Sequence, residues 1–469
     1  MSVRLSERQG QDLTINDLND TKLMTINDHD QLYLRFIFCR MYLQNNTYQI
    51  QGVNVLDIAD QFGLPLYVYD ADKIIQKIDV LRSSFPGVTL KIKYALKALS
   101  NLSILKLMRS QGVEVDVVSV NEARLAMRAG YLPRQIMYTP SGNRFSEIQE
   151  AIDLGLTVNA DSLPLIEQIG QTYGATVPIC IRINPSIIDG GNLKIQTGHA
   201  DSKFGIPNQY RAEIKSLIAQ YSIPVVGLHI HTGSDFKDGN TFLKIADTLF
   251  DLASDFPELR FMDFGSGFKV AYREGDHATD LAELGQKVSA AFQSFCERFG
   301  RDIELWFEPG KLLVSESGHL LANVNVVKPN PTRTFVQLDT GLNHLIRPMM
   351  YDAWHDIINV SNPNGLGAEG QEKLYTVVGY ICETDTFATD RLLPEVHQND
   401  VLSFENAGAY GFSMASTYNM RCRPAEVLVY DGQPHLIRER ETFEDLMRGQ
   451  VEIEFEATVL NGQWIVDNE

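Results

Sequence analysis

The sequence predicts an α/β protein in two parts, a (β/α)8 barrel followed by an all-β domain that is itself barrel-like. Between Lys91 and Glu308, eight short β-branched runs alternate with stretches of helical periodicity, as repeated βα units require. After Glu308 the helical spacing fades, and strand-like runs separated by turn residues replace it. The 469 residues also exceed what one hydrophobic core usually serves. We therefore expect two domains.

The expected boundaries follow from these patterns. Residues 1–41 are rich in Asp, Asn and Thr, so we expect a mobile N-terminal extension, with Met41 a candidate for the true start. Residues 42–69, of which 47–53 alternate like a strand, are expected to join the β domain. The barrel is expected over residues 70–311 and the β domain over residues 312–469.

The individual elements are predicted from local patterns. The eight barrel strands are expected at residues 91–95, 115–118, 136–138, 157–159, 177–183, 225–230, 261–264 and 304–307. Helical spacing fills the gaps, and Ser119-x-x-Glu122 has the pattern of a capping box. The second domain is expected to contain strands at residues 324–327, 334–338, 375–380, 401–404, 426–429 and 452–456.

Composition excludes several classes of function. A formal net charge of -19 repels phosphate backbones and anionic lipid, and no apolar run approaches a membrane span. We therefore expect neither nucleic acid nor membrane as a partner. The five cysteines are odd in number and include no C-x-x-C pair, which argues against a disulfide framework and structural zinc. A reducing cytoplasm fits these features best.

Four groups of residues follow strand ends and should therefore share one rim of the barrel. They are Lys97, His231, the run Gly265-Ser266-Gly267, and Glu308. The carboxyl ends of barrel strands carry the active site in (β/α)8 enzymes, commonly with a phosphate site after strands seven and eight. An amine, an imidazole, a small-residue loop and a carboxylate are what a protein needs to bind pyridoxal phosphate as a Schiff base.

Each of these residues also has a plainer explanation. Most lysines are solvated surface charges, and Lys91 and Lys93 lie in the same run; we favour Lys97 because a buried strand end would lower its pKa. His231 and His229, on the same side of a strand, could be core histidines or half of a metal site. No third ligand has convincing spacing, so we expect no metal.

Six blocks of sequence, in this order, resemble the fold-type III pyridoxal phosphate-dependent decarboxylases, whose fold is that of alanine racemase and ornithine decarboxylase. The resemblance extends from about residue 42 to residue 448. The blocks are Tyr94-Ala95-Leu96-Lys97-Ala98, His229-Ile230-His231-Thr232-Gly233-Ser234, Glu308-Pro309-Gly310, Ile346-Arg347-Pro348, Cys382-Glu383-Thr384, and Ala407-Gly408-Ala409-Tyr410-Gly411-Phe412-Ser413.

The resemblance implies a role for each matched residue around pyridoxal phosphate. Lys97 matches the lysine that forms the Schiff base and helps to return a proton, and His231 matches the ring that stacks on the pyridine. Glu308 matches the carboxylate that faces the pyridine nitrogen. The other matched cofactor positions are Ser234, Gly265, Gly267, Gly310, Lys311 and Tyr410.

The resemblance also implies an amino-acid substrate with a second carboxylate. Arg347 and Tyr351 match carboxylate-binding positions, Glu383 matches the partner of a distal ammonium, and Lys311 and Tyr410 match substrate contacts. Cys382 matches the proposed acid that reprotonates the product, although a thiol is more often an inert buried group. The implied reaction is decarboxylation of meso-2,6-diaminopimelate to L-lysine and CO2, the last step of lysine biosynthesis. The alternative is a relative acting on ornithine, arginine or D-lysine.

Three positions depart from the family pattern. Lys311 stands where arginine is usual and loses the guanidinium fork, Ser266 replaces a middle glycine, and Thr384 replaces a serine. The small hydroxyl of Ser266 should be tolerated, whereas Lys311 and Thr384 lie close to the expected substrate pocket; they leave the reaction type intact but bear on the exact substrate.

Two other classes are disfavoured. A non-catalytic regulatory homologue should have lost Lys97 or the phosphate loop, and an alanine-racemase-like enzyme has no need of the pair Cys382 and Glu383. Finally, the resemblance implies a homodimer in which Cys382 and Glu383 complete the partner's site.

Overall fold

The first elements form a small antiparallel sheet and then supply a strand to the second domain. The computed structural model describes residues 41–185, 202–231, 233, 239–273, 275–362, 372–454, 459–460 and 463–464. In it β1 (Tyr42–Gln44), β2 (Thr47–Ile50) and β3 (Val53–Asn54) pair in that order. They are followed by α1 (Val55–Phe62), β4 (Leu66–Asp70) and α2 (Ala71–Ser83).

The strand predicted within residues 47–53 is confirmed as β2, which packs on the second domain rather than hydrogen-bonding with it. Its Tyr48 and Ile50 lie in a buried cluster with Leu66, Val68 and Leu321. Within the expected joining segment, β4 is the strand that enters the second sheet. Of the expected extension, residues 1–40 lie outside the described residues, whereas Met41 is buried in this same cluster.

Eight parallel strands close the predicted barrel. In chain order they are β5 (Leu90–Ala95), β6 (Glu114–Val117), β7 (Ile136–Tyr138), β8 (Thr157–Ala160), β9 (Ile179–Asn184), β11 (Val225–Ile230), β12 (Phe261–Asp263) and β13 (Glu304–Phe307), with the short β10 (Ile206–Pro207) pairing beside β9. Each pairs with the next, and β13 pairs back to β5. All eight strand predictions are confirmed, with small differences at the ends.

Helices cover the outside of the barrel. They are α3 (Leu102–Ser110), α4 (Val120–Arg128), α5 (Phe145–Asp153), α6 (Leu163–Tyr173), α7 (Arg211–Tyr221), α8 (Gly239–Ala253), α9 (Leu281–Phe299) and the short α10 (Lys311–Val314). Ser119 caps α4 as predicted by accepting a hydrogen bond from the Glu122 N–H, but the Glu122 carboxylate turns to the N–H of Val118. Thus the capping box closes one residue earlier than its pattern suggests.

Alternate side chains of the barrel strands point to opposite faces and fill two separate hydrophobic clusters. Ile136 and Tyr138 of β7 face the main core under the helices, whereas Met137 belongs to a small inner cluster with Cys180, Val226, Phe261 and Trp306. The rings of Phe261 and Trp306 stack with centroids 3.5 Å apart. Side chains two residues further along the strands point to the same side, so this cluster forms a floor beneath the rim.

The second domain is built around one large sheet. Its elements are β14 (Gly318–Pro329), β15 (Thr334–Leu338), α11 (Arg347–Tyr351), β16 (Ile357–Asn359), β17 (Glu372–Val378), β18 (Thr386–Pro394), β19 (Val401–Phe404), β20 (Ala425–Tyr430), β21 (Gln433–Arg438) and α12 (Phe443–Met447). The strand order is β18-β17-β15-β14-β4-β20-β21, and β19 bridges β14 and β16. A separate hairpin joins β22 (Val459–Leu460) and β23 (Gln463–Trp464).

Five of the six strands predicted here are confirmed. The sixth, over residues 452–456, is wrong for 452–454, which have no regular structure; the remaining two residues lie outside the described chain. Val451 and Ile453 are exposed, so no buried face stabilises a strand. The four described cysteines are free, and no helix in the described ranges is long and apolar enough to cross a membrane.

Candidate active site

Lys97 lies on the barrel rim beside a buried aspartate. It occupies a single turn of 3-10 helix, Leu96–Ala98, directly after β5. Its Nζ lies 3.4 Å from Oδ2 of Asp116, a buried residue of the neighbouring strand β6. The side chain is 40% exposed, so Lys97 reaches from the barrel wall towards the open rim.

The expected lowering of the Lys97 pKa is wrong. Burial alone would lower it, but the negative charges of Asp116 and Glu308 outweigh burial, and the pKa is raised. Burial, together with the nearby charge of Glu308, raises the pKa of Asp116 to about 6 in spite of Lys97. The lysine is therefore a charged ammonium in a negative environment before any ligand binds.

The two other lysines of this run have a structural role. Lys93 is buried in the barrel, with Nζ 2.6 Å from Glu114 Oε2 and 4.0 Å from the Trp306 ring centroid. Lys91 lies 3.5 Å from the same carboxylate. Both therefore belong to the barrel floor.

His231 is held as a neutral ring by the glycine loop. Its Nδ1 accepts a hydrogen bond from the Ser266 N–H at 3.0 Å, which leaves the ring proton on Nε2. Burial and the positive charges of Arg182 and Lys97 lower its pKa far below the ordinary value. The imidazole thus offers a flat, uncharged face at the rim.

The glycine positions of the loop are required by close packing. Gly265 has φ +61, and a Cβ there would lie 2.4 Å from His231 Nδ1. A Cβ at Gly310 would lie 3.1 Å from the Ala98 Cβ. Gly267 is buried, and Ser234 lies outside the described residues. Close packing therefore leaves no space for a side chain at Gly265 or Gly310, and we call the backbone at these two positions the glycine cradle.

Glu308 is the centre of a buried polar cluster. His229 Nε2 lies 3.0 Å from Glu308 Oε2, and polar atoms of His229, Asp263 and Glu308 all lie within 4.8 Å of one another. The cluster includes only one of the two histidines considered as a metal pair, His229 and not His231, so the expectation of no metal stays a prediction. Burial raises the pKa of both carboxyls, and their proximity adds to that of Asp263.

This cluster suits a cationic ring nitrogen. Among the described residues, Glu308 Oε1 and Asp263 Oδ2 have no hydrogen-bond donor when both groups are ionised. A buried carboxylate with an unused acceptor is matched by a protonated pyridine. The amine of Lys97, the Glu308 carboxylate and the glycine cradle therefore fit pyridoxal phosphate as a ligand.

The second domain contributes Tyr410 through a glycine contact. A Cβ at Gly408 would lie 1.8 Å from the carbonyl oxygen of Val314, in the last turn of the barrel. Two residues on, Tyr410 has φ +56, its N–H donates to the Ala98 carbonyl at 2.8 Å, and its hydroxyl lies beside Gly310. Tyr410 is thereby placed at the same rim as Lys97.

Arg347 lies buried at the start of α11, where its neighbours hold it. Its guanidinium donates to His355 Nε2 at 3.1 Å and lies 4.8 Å from the Tyr272 ring centroid. Burial raises the pKa of the Tyr410 hydroxyl, and the positive charges of Lys97 and Arg347 partly oppose this rise. Tyr351 lies one helical turn after Arg347, and Lys311 begins α10 directly after Gly310.

Cys382 and Glu383 are placed elsewhere, on an exposed loop of the second domain. The Cys382 Sγ accepts from Asn419 Nδ2 at 3.1 Å, and Glu383 accepts from the Tyr418 hydroxyl at 2.7 Å. Asp385 anchors the loop by accepting the N–H groups of Leu342 and Ile381. The contacts of these two side chains are therefore with their own loop region rather than with the Lys97 rim.

Three residues of the site were not predicted: Asp116, Arg182 and Asp263. All are buried charged residues of barrel strands, and Arg182 pairs in register with His229. Their signal in the sequence is a charge inside an otherwise apolar run, as in Val115-Asp116-Val117. Such a charge at the carboxyl end of a barrel strand points to the site.

The comparisons with known proteins agree with this geometry. A family model described as "Pyridoxal-dependent decarboxylase, pyridoxal binding domain" matches residues 71–315. The diaminopimelate decarboxylase of Methanothermobacter thermautotrophicus is 36% identical over 410 residues, covering 86% of this chain and 95% of the relative. That of Helicobacter pylori J99 is 37% identical over 414 residues, covering 85% and 98%.

A solved structure shows the same likeness in three dimensions. The diaminopimelate decarboxylase from M. jannaschii, in co-complex with L-lysine, matches with a TM-score of 0.80 and 30% identity, covering 89% of this chain and 98% of the other. Fold and site together define a pyridoxal phosphate-dependent decarboxylase. The chain belongs to the diaminopimelate decarboxylase family.

The cradle makes a prediction about Gly265. Gly265→Ala should weaken pyridoxal phosphate binding at least about tenfold, since the new Cβ displaces the His231 ring. Gly275→Ala is the matched control, because Gly275 also has positive φ but has nothing within 4 Å of a Cβ. Titration of the apo-proteins with cofactor, followed by visible absorbance, measures both. Equal affinities in the two variants would show that the contact with His231 does not matter.

Proposed function

We propose that this chain decarboxylates meso-2,6-diaminopimelate to give L-lysine and CO2, the last step of lysine biosynthesis, in the cytoplasm. The observation that carries the proposal is that the amine of Lys97 and the buried carboxylate of Glu308 act on each other at one rim, and that the charges of Lys97 and of the Arg347 guanidinium both reach Tyr410. The relatives that match over most of the chain are diaminopimelate decarboxylases.

The barrel side chains prepare the cofactor site. When bound, pyridoxal phosphate supplies an electron sink for the carbanion left by loss of CO2. Glu308 offers a carboxylate to the ring nitrogen, and a negative charge there favours the protonated ring, which is the stronger sink. His231 offers its neutral face for stacking. Gly267, Gly310 and Ser234 are proposed to receive the phosphate.

Lys97 and Asp116 control a proton at the rim. The Lys97 ammonium faces Asp116 Oδ2 at 3.4 Å, and the raised lysine pKa means that a proton must leave Nζ before the amine can react. Asp116, with a pKa of about 6, is the carboxylate that holds this amine in place. After loss of CO2 the Lys97 ammonium assists the return of a proton to the product, for which Cys382 is the proposed acid.

Recognition of the far end of the substrate is assigned to the second domain. Arg347 is directed by His355 and Tyr272 and can bind a carboxylate with both arms of its fork. Burial lowers the His355 pKa to about 3, so the imidazole remains a neutral acceptor for Arg347. Tyr351, Lys311 and Tyr410 are proposed as further substrate contacts. A diamine precursor lacks the second carboxylate that this arrangement would bind.

A homodimer with shared sites would explain the position of Cys382 and Glu383. Both side chains are exposed, and near them Tyr418 and Met420 expose 41% and 53% of their surface. Apolar side chains exposed beside polar site residues are typical of a surface that a partner covers. In the proposed dimer, Glu383 meets the distal ammonium in the other subunit, and Cys382 supplies the acid for reprotonation.

The direct test of function is CO2 release from meso-diaminopimelate, with L-ornithine, L-arginine and D-lysine alongside. We expect release from meso-diaminopimelate only, and its loss, together with the visible absorbance of bound cofactor, in Lys97→Ala. Lys91→Ala is the matched control, because that lysine belongs to the barrel floor. Release from another amino acid alone would reassign the substrate, and an active Lys97→Ala enzyme would overturn the mechanism.

Arg347 should affect binding more than the chemical step. Arg347→Ala should raise KM for meso-diaminopimelate by at least about tenfold, because charge-assisted hydrogen bonds to a carboxylate are lost. Arg347→Lys should recover part of this loss, since it keeps the charge but not the fork. Steady-state kinetics, with thermal unfolding as a check on folding, separate the two. An unchanged KM in Arg347→Ala would place the distal carboxylate elsewhere.

Shared sites predict complementation between inactive subunits. Lys97→Ala and Cys382→Ala, each nearly inactive alone, should regain about one quarter of the wild-type activity when unfolded and refolded together in equal amounts, because half of the dimers then carry one intact site. Two copies of the same variant refolded together serve as the control. Recovery no greater than in that control would mean that each subunit builds its site alone.

A further inference from the structure

Asp263 is a buried carboxyl group with no role assigned above. It is the last residue of β12 and has no exposed surface. Its Oδ1 accepts the N–H of Gly265, the first residue of the phosphate loop, at 2.8 Å. On its other side the carboxyl lies beside Glu308, with one oxygen of each within 4.8 Å of the other, and Asp263 Oδ2 and Glu308 Oε1 have no other hydrogen-bond partner among the described residues.

These contacts form a closed cycle. Asp263 accepts the Gly265 N–H and lies against the Glu308 side chain, and the Glu308 N–H donates to the Gly265 carbonyl oxygen at 2.5 Å. The group that faces the ring nitrogen and the loop that receives the phosphate are thereby tied to each other at two points. A shift of one must move the other.

Two carboxyls in such contact cannot both be ionised in a buried site. Glu308 accepts from His229 and lies in the field of Lys97 and Arg182, all of which favour its charged form. Asp263 accepts only a backbone N–H among the described residues. The proton shared by the pair therefore belongs on Asp263. The strongly raised pKa of Asp263, caused by burial and by Glu308, agrees with this assignment.

We propose that Asp263 is a positioning residue held as a neutral acid, which donates its O–H to Glu308 and accepts the Gly265 N–H. In this form it leaves Glu308 as the one anion that faces the ring nitrogen and fixes the orientation of that carboxylate. It also sets the phosphate loop relative to the ring site. The inference rests on the proposed placement of the cofactor between Glu308 and the loop.

The test compares Asp263→Asn with Asp263→Ala in the full-length protein. A neutral acid and an amide offer the same donor and acceptor, so Asp263→Asn should bind pyridoxal phosphate within about threefold of the wild type. Asp263→Ala loses both and should bind about ten- to a hundredfold more weakly. Cofactor titrations of the apo-proteins, followed by visible absorbance without substrate, give these affinities.

The pH dependence of binding separates this role from a merely structural one. In Asp263→Ala the Glu308 pKa should rise, because the donor that favours its charged form is gone. The acid limb of cofactor affinity should then move to higher pH, while that of Asp263→Asn stays in place. Infrared spectra of the apo-protein should also show the carbonyl stretch of a protonated buried carboxyl, which Asp263→Asn removes even if Asp263→Ala fails to fold.

Two results would overturn the proposal. If Asp263→Asn lost as much affinity as Asp263→Ala, the residue would act through its charge; if Asp263→Ala bound like the wild type, the cycle would have no role. Because no substrate is present, a wrong substrate assignment leaves these measurements unaffected. A wild-type protein that fails to bind the cofactor at Lys97 would contradict the proposed function itself.

Discussion

The site depends on the burial of several ionisable groups in one small volume at the barrel rim. Asp116, Asp263 and Glu308 are buried beside Arg182, and Asp116 and Glu308 also act on Lys97. Isolated charges in such a place are expensive, and only mutual pairing and hydrogen bonding make them tolerable. The barrel therefore holds buried charged and polar groups in fixed positions, where an ionic ligand can complete their pairing. The same burial that costs stability makes each carboxyl sensitive to its neighbours.

Glycine packing allows two domains to build this one rim. The close approach of Gly408 to Val314, and of Gly318 to Gly408, leaves no space for side chains. Tyr410 follows this contact by two residues, so its position is set by backbone packing rather than by a flexible linker. Arg347 is oriented in a different way, by His355 and the Tyr272 ring. Tyr410 and Arg347 are thus held as firmly as the residues of the barrel rim.

Periodicity was sufficient for the barrel, because buried parallel strands are short apolar runs between amphipathic helices. It also placed Lys97, His231 and Glu308 at strand ends. It could not show the direction in which the Lys97 pKa shifts. That direction depends on Asp116, which is 19 positions away in the sequence and whose Oδ2 lies 3.4 Å from Lys97 Nζ only in the folded barrel. Asp263 was missed in part for a similar reason: its contact with Glu308 has no local pattern, although a charge within the apolar run of residues 261–264 was a signal for it. The failed strand at residues 452–454 shows that alternation without a burying face is not enough.

The proposed assignment of cofactor chemistry to the barrel and of substrate recognition to the second domain also explains why Lys311, Ser266 and Thr384, which depart from the family pattern, need not alter the reaction. In the proposed function, chemistry at the cofactor falls to Lys97, Glu308 and the glycine cradle, which follow strand ends of the barrel. Discrimination between amino acids falls to charges further out, on α11 and on the Cys382 loop. Lys311 stands at the junction, directly after Gly310 and at the start of α10. A lysine there keeps the positive charge without the bidentate geometry, so its effect should fall on the precision of binding rather than on the electron sink.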